Sequence, residues 1–150
     1  MVGSFDLSTL TVNQKIHLIY PNINGYVFYA NGIVGSKFIC AGRYLASGRY
    51  ETVSVFDKST LALEKNLLIR YSHLGSVMLM PSGDVVGSSD GLTAYVVVGE
   101  RNRQSIQIQS INLSLYTINK SLFIEQSVME SYVMMKMQAS SGKLFVAYTS

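Results

Sequence analysis

At 150 residues and a net charge of +3, the chain is long enough for one domain with a real core and too weakly basic to argue for nucleic acid. Hydrophobic residues make up 48% of it and charged residues only 14%, where about a quarter is usual for a soluble domain. That shortage points to a surface covered by a partner or by the rest of a larger protein; the other reading is a β-rich chain whose polar face is Ser, Thr, Asn and Gln.

In chain order, 2–7 and 14–20 read as strands joined by 8–13, and the cluster Pro21-Asn22-Ile23-Asn24-Gly25 turns the chain. Residues 26–30 are aromatic and β-branched, a strand, and Asn31-Gly32 signals a hairpin because both residues tolerate positive φ. A strand follows at 37–41, 42–48 is irregular, and 49–57 with 61–70 alternate as two further strands. After a turn at 71–75, a short apolar strand at 77–80 ends at Pro81-Ser82-Gly83. Strands are expected at 84–88 and 93–98 around Ser89-Asp90-Gly91, then at 105–112 and 116–124 after a polar loop at 99–103. A helical turn is plausible only at 125–131. The last strands are 133–138 and 143–148, separated by Ser140-Ser141-Gly142. Many short strands between Gly, Asn, Asp and Ser turns, with no helix-length 3.6-residue pattern, mean an all-β fold.

The pattern repeats. S-F-D-L-S-T-L-T from Ser4, V-F-D-K-S-T-L-A from Val55 and I-N-L-S-L-Y-T from Ile111 place Asp6, Asp57 and Asn112 at one position, 51 and then 55 residues apart. The pieces between them also match: V-M-L-M-P-S-G-D-V-V after Ser76 beside V-M-M-K-M-Q-A-S-S-G-K-L-F after Tyr132, with Gly83 set against Gly142 as the turn. Each repeat then holds four strands, in the order V-M-x-M, G-x-V-V, a longer outer strand and the strand after the Asp turn. Antiparallel units of about 40 to 50 residues suit the blades of a β-propeller.

The resemblance is most specific at S-H-L-G-S-V-M-L-M-P-S-G-D-V-V-G-S-S-D-G, from Ser72 to Gly91. It looks like the WD-repeat pattern of a His before the inner strand, then P-S-G, then S-x-D-G. Phe5-Asp6 and Phe56-Asp57 sit where that family has Trp-Asp, and T-V-S-V-F-D-K-S-T from Thr52 is similar to YVTN-type propeller repeats. For His73 the resemblance implies a structural hydrogen bond to a Ser or Asp of its own blade, with Ser88 and Asp90 as acceptors.

On this reading the single domain divides into a half blade at 1–20, blades at 26–70 and 76–124, and a half blade at 132–150. That makes three blade equivalents, fewer than the roughly four to eight that close a ring. Three outcomes are open: a section of a longer propeller; a ring completed by a second copy or a partner chain, last strands pairing with first; or a sandwich or open stack. An uncapped edge at 143–150 would be an aggregation site, so cover is expected.

Little in the chain carries chemistry. Asp6, Asp57 and Asn112 would either ring a channel mouth or, as the residues favour, start their turns by bonding the backbone two residues on. Asp84, Asp90 and Glu51 show no acid–base spacing, and the glycines at 83–91 precede strands, unlike a phosphate loop. Cys40, His17 and His73 lack metal-ligand spacing. Cys40 reads as a small buried hydrophobe, and as the only cysteine it excludes an intrachain disulfide. Met78, Met80, Met135 and Met137 read as core-facing, a soft partner surface being the alternative. With no basic-then-apolar start and no apolar run of about 18 residues, neither a signal peptide nor a membrane helix is expected, and a cytoplasmic setting is favoured.

The resulting expectation is a non-catalytic protein–protein interaction or structural module, needing no cofactor, whose partners are other proteins or further copies of itself. A ligand- or sugar-binding or enzymatic propeller using a central channel is the alternative.

Overall fold

A computed structural model describes residues 2–6, 8–9, 11–16, 26–44, 50–70, 83–99, 105–125 and 135–148. These residues are strands and turns: β1 (Val2–Phe5), β2 (Val12–Ile16), β3 (Tyr26–Val34), β4 (Lys37–Tyr44), β5 (Tyr50–Asp57), β6 (Leu63–Arg70), β7 (Gly83–Gly87), β8 (Thr93–Gly99), β9 (Ser105–Asn112), β10 (Thr117–Glu125), β11 (Met135–Ser140) and β12 (Lys143–Tyr148). The fold is all-β, and no helix among the described residues is long and apolar enough to cross a membrane.

Strands β3 to β6 form one antiparallel meander, sheet 1, and β7 to β10 form another, sheet 2. Hydrogen bonding runs through both in the order β10-β9-β8-β7-β3-β4-β5-β6, but the junction is a two-residue parallel bridge, Ala30↔Gly83 and Asn31↔Asp84. So short a bridge leaves two sheets whose first strands touch. Strands β1–β2 and β11–β12 are separate hairpins, and β11 lies against β7. Among the described residues no sheet closes on itself.

Alternation along the strands explains the core. Ile39 and Ala41 on β4 and Val53 and Val55 on β5 turn to one face of sheet 1, where Val85, Ala94, Val96, Ile111 and Leu113 of sheet 2 cover them. Burying a side chain such as Ile39 or Val55, both at 0% exposure, contributes about 1.5–3 kcal/mol. The opposite face of sheet 1 carries Cys40 and Phe56, with Leu61 from the following turn and Phe38 beside them. Residues 52–56 are therefore buried on both faces of β5.

Several expectations are corrected. Asn31-Gly32 is not a turn: β3 runs unbroken to Val34, and the chain reverses at Gly35-Ser36. Gly32 is there for another reason. A Cβ at this position would collide with the Val85 carbonyl oxygen of β7, so only glycine admits the second sheet this close. Strand β4 continues through Tyr44, into the segment expected to be irregular. Leu61 and Tyr116 sit in turns and not in strands, which begin at Leu63 and Thr117.

The alignment of the linkers also shifts. Gly83 opens the first strand of sheet 2 and pairs with Ala30; the turn equivalent to Ser141-Gly142 is Asp90-Gly91. Gly35, Gly91 and Gly142 hold φ of 58°, 71° and 72° there, a conformation that costs glycine least. G-D-V-V-G is thus the first described strand of sheet 2. The strand expected at 77–80, the loop tip at 100–103, His17, His73, Met78, Met80 and residues 126–131 lie outside the described residues, and Glu125 ends β10.

Candidate interaction site

The three Asp/Asn turns are built alike. Asp6 Oδ1 accepts from the amides of Ser8 and Thr9 at 2.8 and 3.0 Å, and from Ser8 Oγ. Asp57 Oδ1 accepts from the amides of Ser59 and Thr60 at 2.9 and 2.8 Å and from both hydroxyls. Asn112 Oδ1 accepts from the amides of Ser114 and Leu115, both at 2.9 Å. Each Oδ1 caps its own turn, as the backbone-capping reading expects. The donors also stabilise the anion: Ser8 and its neighbours lower the Asp6 carboxyl to about 2, and Ser59 first, then Thr60, push Asp57 lower still. Four residues past Asp57 and Asn112, Leu61 and Tyr116 take positive φ, 54° and 52°, the left-handed step that re-aligns a hairpin.

The repeat extends into the strands. In all three hairpins the register slips at one place: after Ser4↔Gln14, Val55↔Lys65 and Ser110↔Lys120. Three residues before the anchor, Ser54 Oγ donates to Asn66 Oδ1 at 2.8 Å in sheet 1, and in sheet 2 Ser121 Oγ donates to Gln109 Oε1 at 2.8 Å. The two couples occupy equivalent positions with the polar types exchanged. Sequence reading missed them, although the 55-residue offset from Asp57 to Asn112 maps Ser54 onto Gln109 and Asn66 onto Ser121.

A polar bridge joins the two sheets at the turn end. Lys37 Nζ meets Glu64 Oε1 at 2.6 Å, and Tyr116 Oη donates to Glu64 Oε2 at 2.8 Å. The bond to Glu64 raises the pKa of both Lys37 and Tyr116. Nothing in the sequence signalled this bridge, because its members come from three separate segments.

The remaining residues singled out in the sequence do not assemble into a site. Ser88 Oγ donates to Asp90 Oδ1, which also accepts from the Leu92 amide, and these bonds, Ser88 first, lower the Asp90 pKa. Glu51 is on β5, three strands from Asp84 on β7. Cys40 is buried, and desolvation pushes its thiol up to about 12, so it is inert at neutral pH. Met137 is buried on β11. No group of three or more His, Cys, Asp or Glu residues among the described residues is placed to hold a metal ion.

What stands out is uneven cover. Lys37, Thr93 and Lys143 begin the second strand of each unit, facing Val34, Ser88 and Ser140 across the first turn. Two residues further on, Ile39 is 0% exposed, Tyr95 is half-buried and Phe145 is 56% exposed. Ten residues past the anchors, Leu67 packs against the core while Leu122 is 52% exposed. Sheet 2 covers sheet 1, whereas among the described residues the two-stranded hairpin β11–β12 stands over sheet 2. The result is a cleft of about 500 Å³, lined by Thr93, Tyr95, Ile108, Ser110, Asn119, Lys120, Ser121 and Leu122 of sheet 2 and Leu144 of β12. Its lining is mainly apolar, with Thr93, Ser110, Asn119, Lys120 and Ser121 supplying the polar groups.

No protein-family model, curated protein or solved structure matches the chain.

Proposed function

We propose that the chain is a non-catalytic interaction module, a section of propeller-like sheets whose last sheet is completed by strands from a partner. One observation carries this reading: at a single repeat position, cover falls from complete at Ile39 to partial at Tyr95 to slight at Phe145. Among the described residues two sheets have four strands and the third, β11–β12, has two. Three features support a blade-like arrangement. The hairpins share anchors and bulges, the first strands β3 and β7 run parallel, and β11 lies against β7. Exposed sheet edges recruit strands, and strand addition supplies main-chain hydrogen bonds without any catalytic group. A channel holding a ligand would need polar groups converging from several sheets, whereas Asp6, Asp57 and Asn112 cap their own turns.

The test is to supply the missing strands. A second copy of residues 101–125 joined after Ser150 gives β12 an outer hairpin of the type that β8 has. Amide exchange at Leu144, Phe145, Val146 and Ala147 is then expected to slow, with Leu122 and Tyr95 losing solvent contact. Unchanged exchange at these four amides would overturn the reading.

A further inference from the structure

We infer that the cleft beside β12 is the seat of the β1–β2 hairpin of a second copy of this chain, so that two copies complete each other's unfinished sheets. The inference rests on the interaction reading above and names its partner.

Each half has the geometry that the other lacks. By anchor and bulge, β1–β2 is equivalent to β5–β6 and β9–β10, the outer pairs of the complete sheets. By first turn, β11–β12 is equivalent to β3–β4 and β7–β8, the inner pairs. Within the described residues neither hairpin joins another sheet.

The complete sheets fix the register. Lys37 faces Asp57, Phe38 faces Phe56 and Ile39 faces Val55 in sheet 1; Thr93 faces Asn112, Ala94 faces Ile111 and Tyr95 faces Ser110 in sheet 2. Carried over, Lys143 faces Asp6 of the second copy, Leu144 faces Phe5 and Phe145 faces Ser4. In this alignment Lys143 takes the backbone register position opposite Asp6 that Lys37 takes opposite Asp57. Shape agrees with it. Ile111, fully buried between sheets 1 and 2, has Phe5 as its equivalent, which places a large apolar residue of the second copy over the cleft. A one-residue slip would instead turn Phe5 to the opposite face.

Among the described residues each copy brings two four-stranded sheets and two complementary hairpins, so two copies that exchange hairpins about a two-fold axis form two identical junctions. Among the described residues β1–β2 does not pair with β12 of its own chain.

The experiment uses the full chain with Ser4→Cys and Phe145→Cys together. These positions are equivalent to Val55 and Ile39, directly opposed on neighbouring strands, with Cβ atoms about 4.5–5.5 Å apart in such pairs. Cys40 stays in place, buried. Under mild oxidation the expected product is a covalent dimer of twice the chain's 16.5 kDa, seen on a non-reducing gel and matched by light scattering of the uncrosslinked wild type. The control Ser4→Cys with Leu144→Cys, one residue out of register, is expected to cross-link at least tenfold more slowly. A cross-linked single chain would overturn the inference, because the copy would then close on itself. A monomer at every concentration would overturn it too, as would an assembly without this cross-link. The fused-hairpin experiment reads the interaction module separately: slowed exchange there with no dimer here sinks only the second copy as occupant.

Discussion

Sheets 1 and 2 have nearly the same plan and very different surroundings. Both are four-stranded meanders with an Asp or Asn turn, a bulge beside it and a part-buried polar couple behind it. Yet β5 is buried on both faces, while sheet 2 hides Ala94, Val96 and Ile111 and leaves Tyr95 half-open and Leu122 exposed. The strand, then, does not decide what becomes core. The neighbouring sheet does, and the end of the stack is where the same pattern becomes a surface.

The sharpest way to break this comparison is large-to-small substitution at matched positions. Phe56→Ala is expected to cost about 3–5 kcal/mol and Ile39→Ala about 2–5 kcal/mol. Phe145→Ala, the repeat equivalent of Ile39, is expected to stay within about 0.5 kcal/mol when measured on the monomer. Denaturant midpoints check all three; equal losses at Ile39 and Phe145 would refute the unequal cover.

Next in size is Gly32→Ala. The added methyl meets backbone, the Val85 carbonyl, and not a side chain that can move, so a loss of about 1–3 kcal/mol or more is expected. The loss should come with faster amide exchange across the β3–β7 bridge, where the two sheets join.

The polar couples should instead behave alike in the two sheets, because each lies within its own sheet. Ser54→Ala and Ser121→Ala are each expected to cost about 1 kcal/mol, more if Gln109, 3% exposed, is left short of its donor. A large difference between them would mean that inter-sheet cover reaches these pairs.

Acid separates the anchors. The folded-state pKa values of Asp6 and Asp57 are depressed, so their stabilisation is present above the unfolded value of about 3.9. It is lost as pH falls through the folded value, which is about 2 for Asp6. Asn112 does not titrate in this range. Amide exchange at Ser8 and Thr9 should therefore quicken between about pH 4 and pH 2, ahead of Ser114 and Leu115, and Asp6→Asn should remove the difference.

The smallest expected effect is at the surface bridge. Glu64→Gln removes a partner from Lys37 and Tyr116 at a cost of at most about 1 kcal/mol, and salt should reduce it further. Thermal unfolding at low and high salt measures it.

Much of this was legible in the residues. Short strands between turn residues gave the all-β class, and D-L-S-T, D-K-S-T and N-L-S-L marked three turns that proved to be built alike, since an Asx cap is a local device whose donors lie two and three residues away. Gly32 misled for an equally physical reason. Asn-Gly is a turn signal from the chain alone, and only the arrival of β7 shows that the missing side chain makes room for a strand. Lys37, Glu64 and Tyr116 carried no local pattern at all.

Taken by itself, the sequence determined the strands, their turns and the period at which they recur, because each depends on neighbours within a few residues. Which Gly begins a strand, which apolar position is buried, and where a cleft opens were decided by packing between sheets. That packing brings together residues about fifty apart, and no local propensity encodes it.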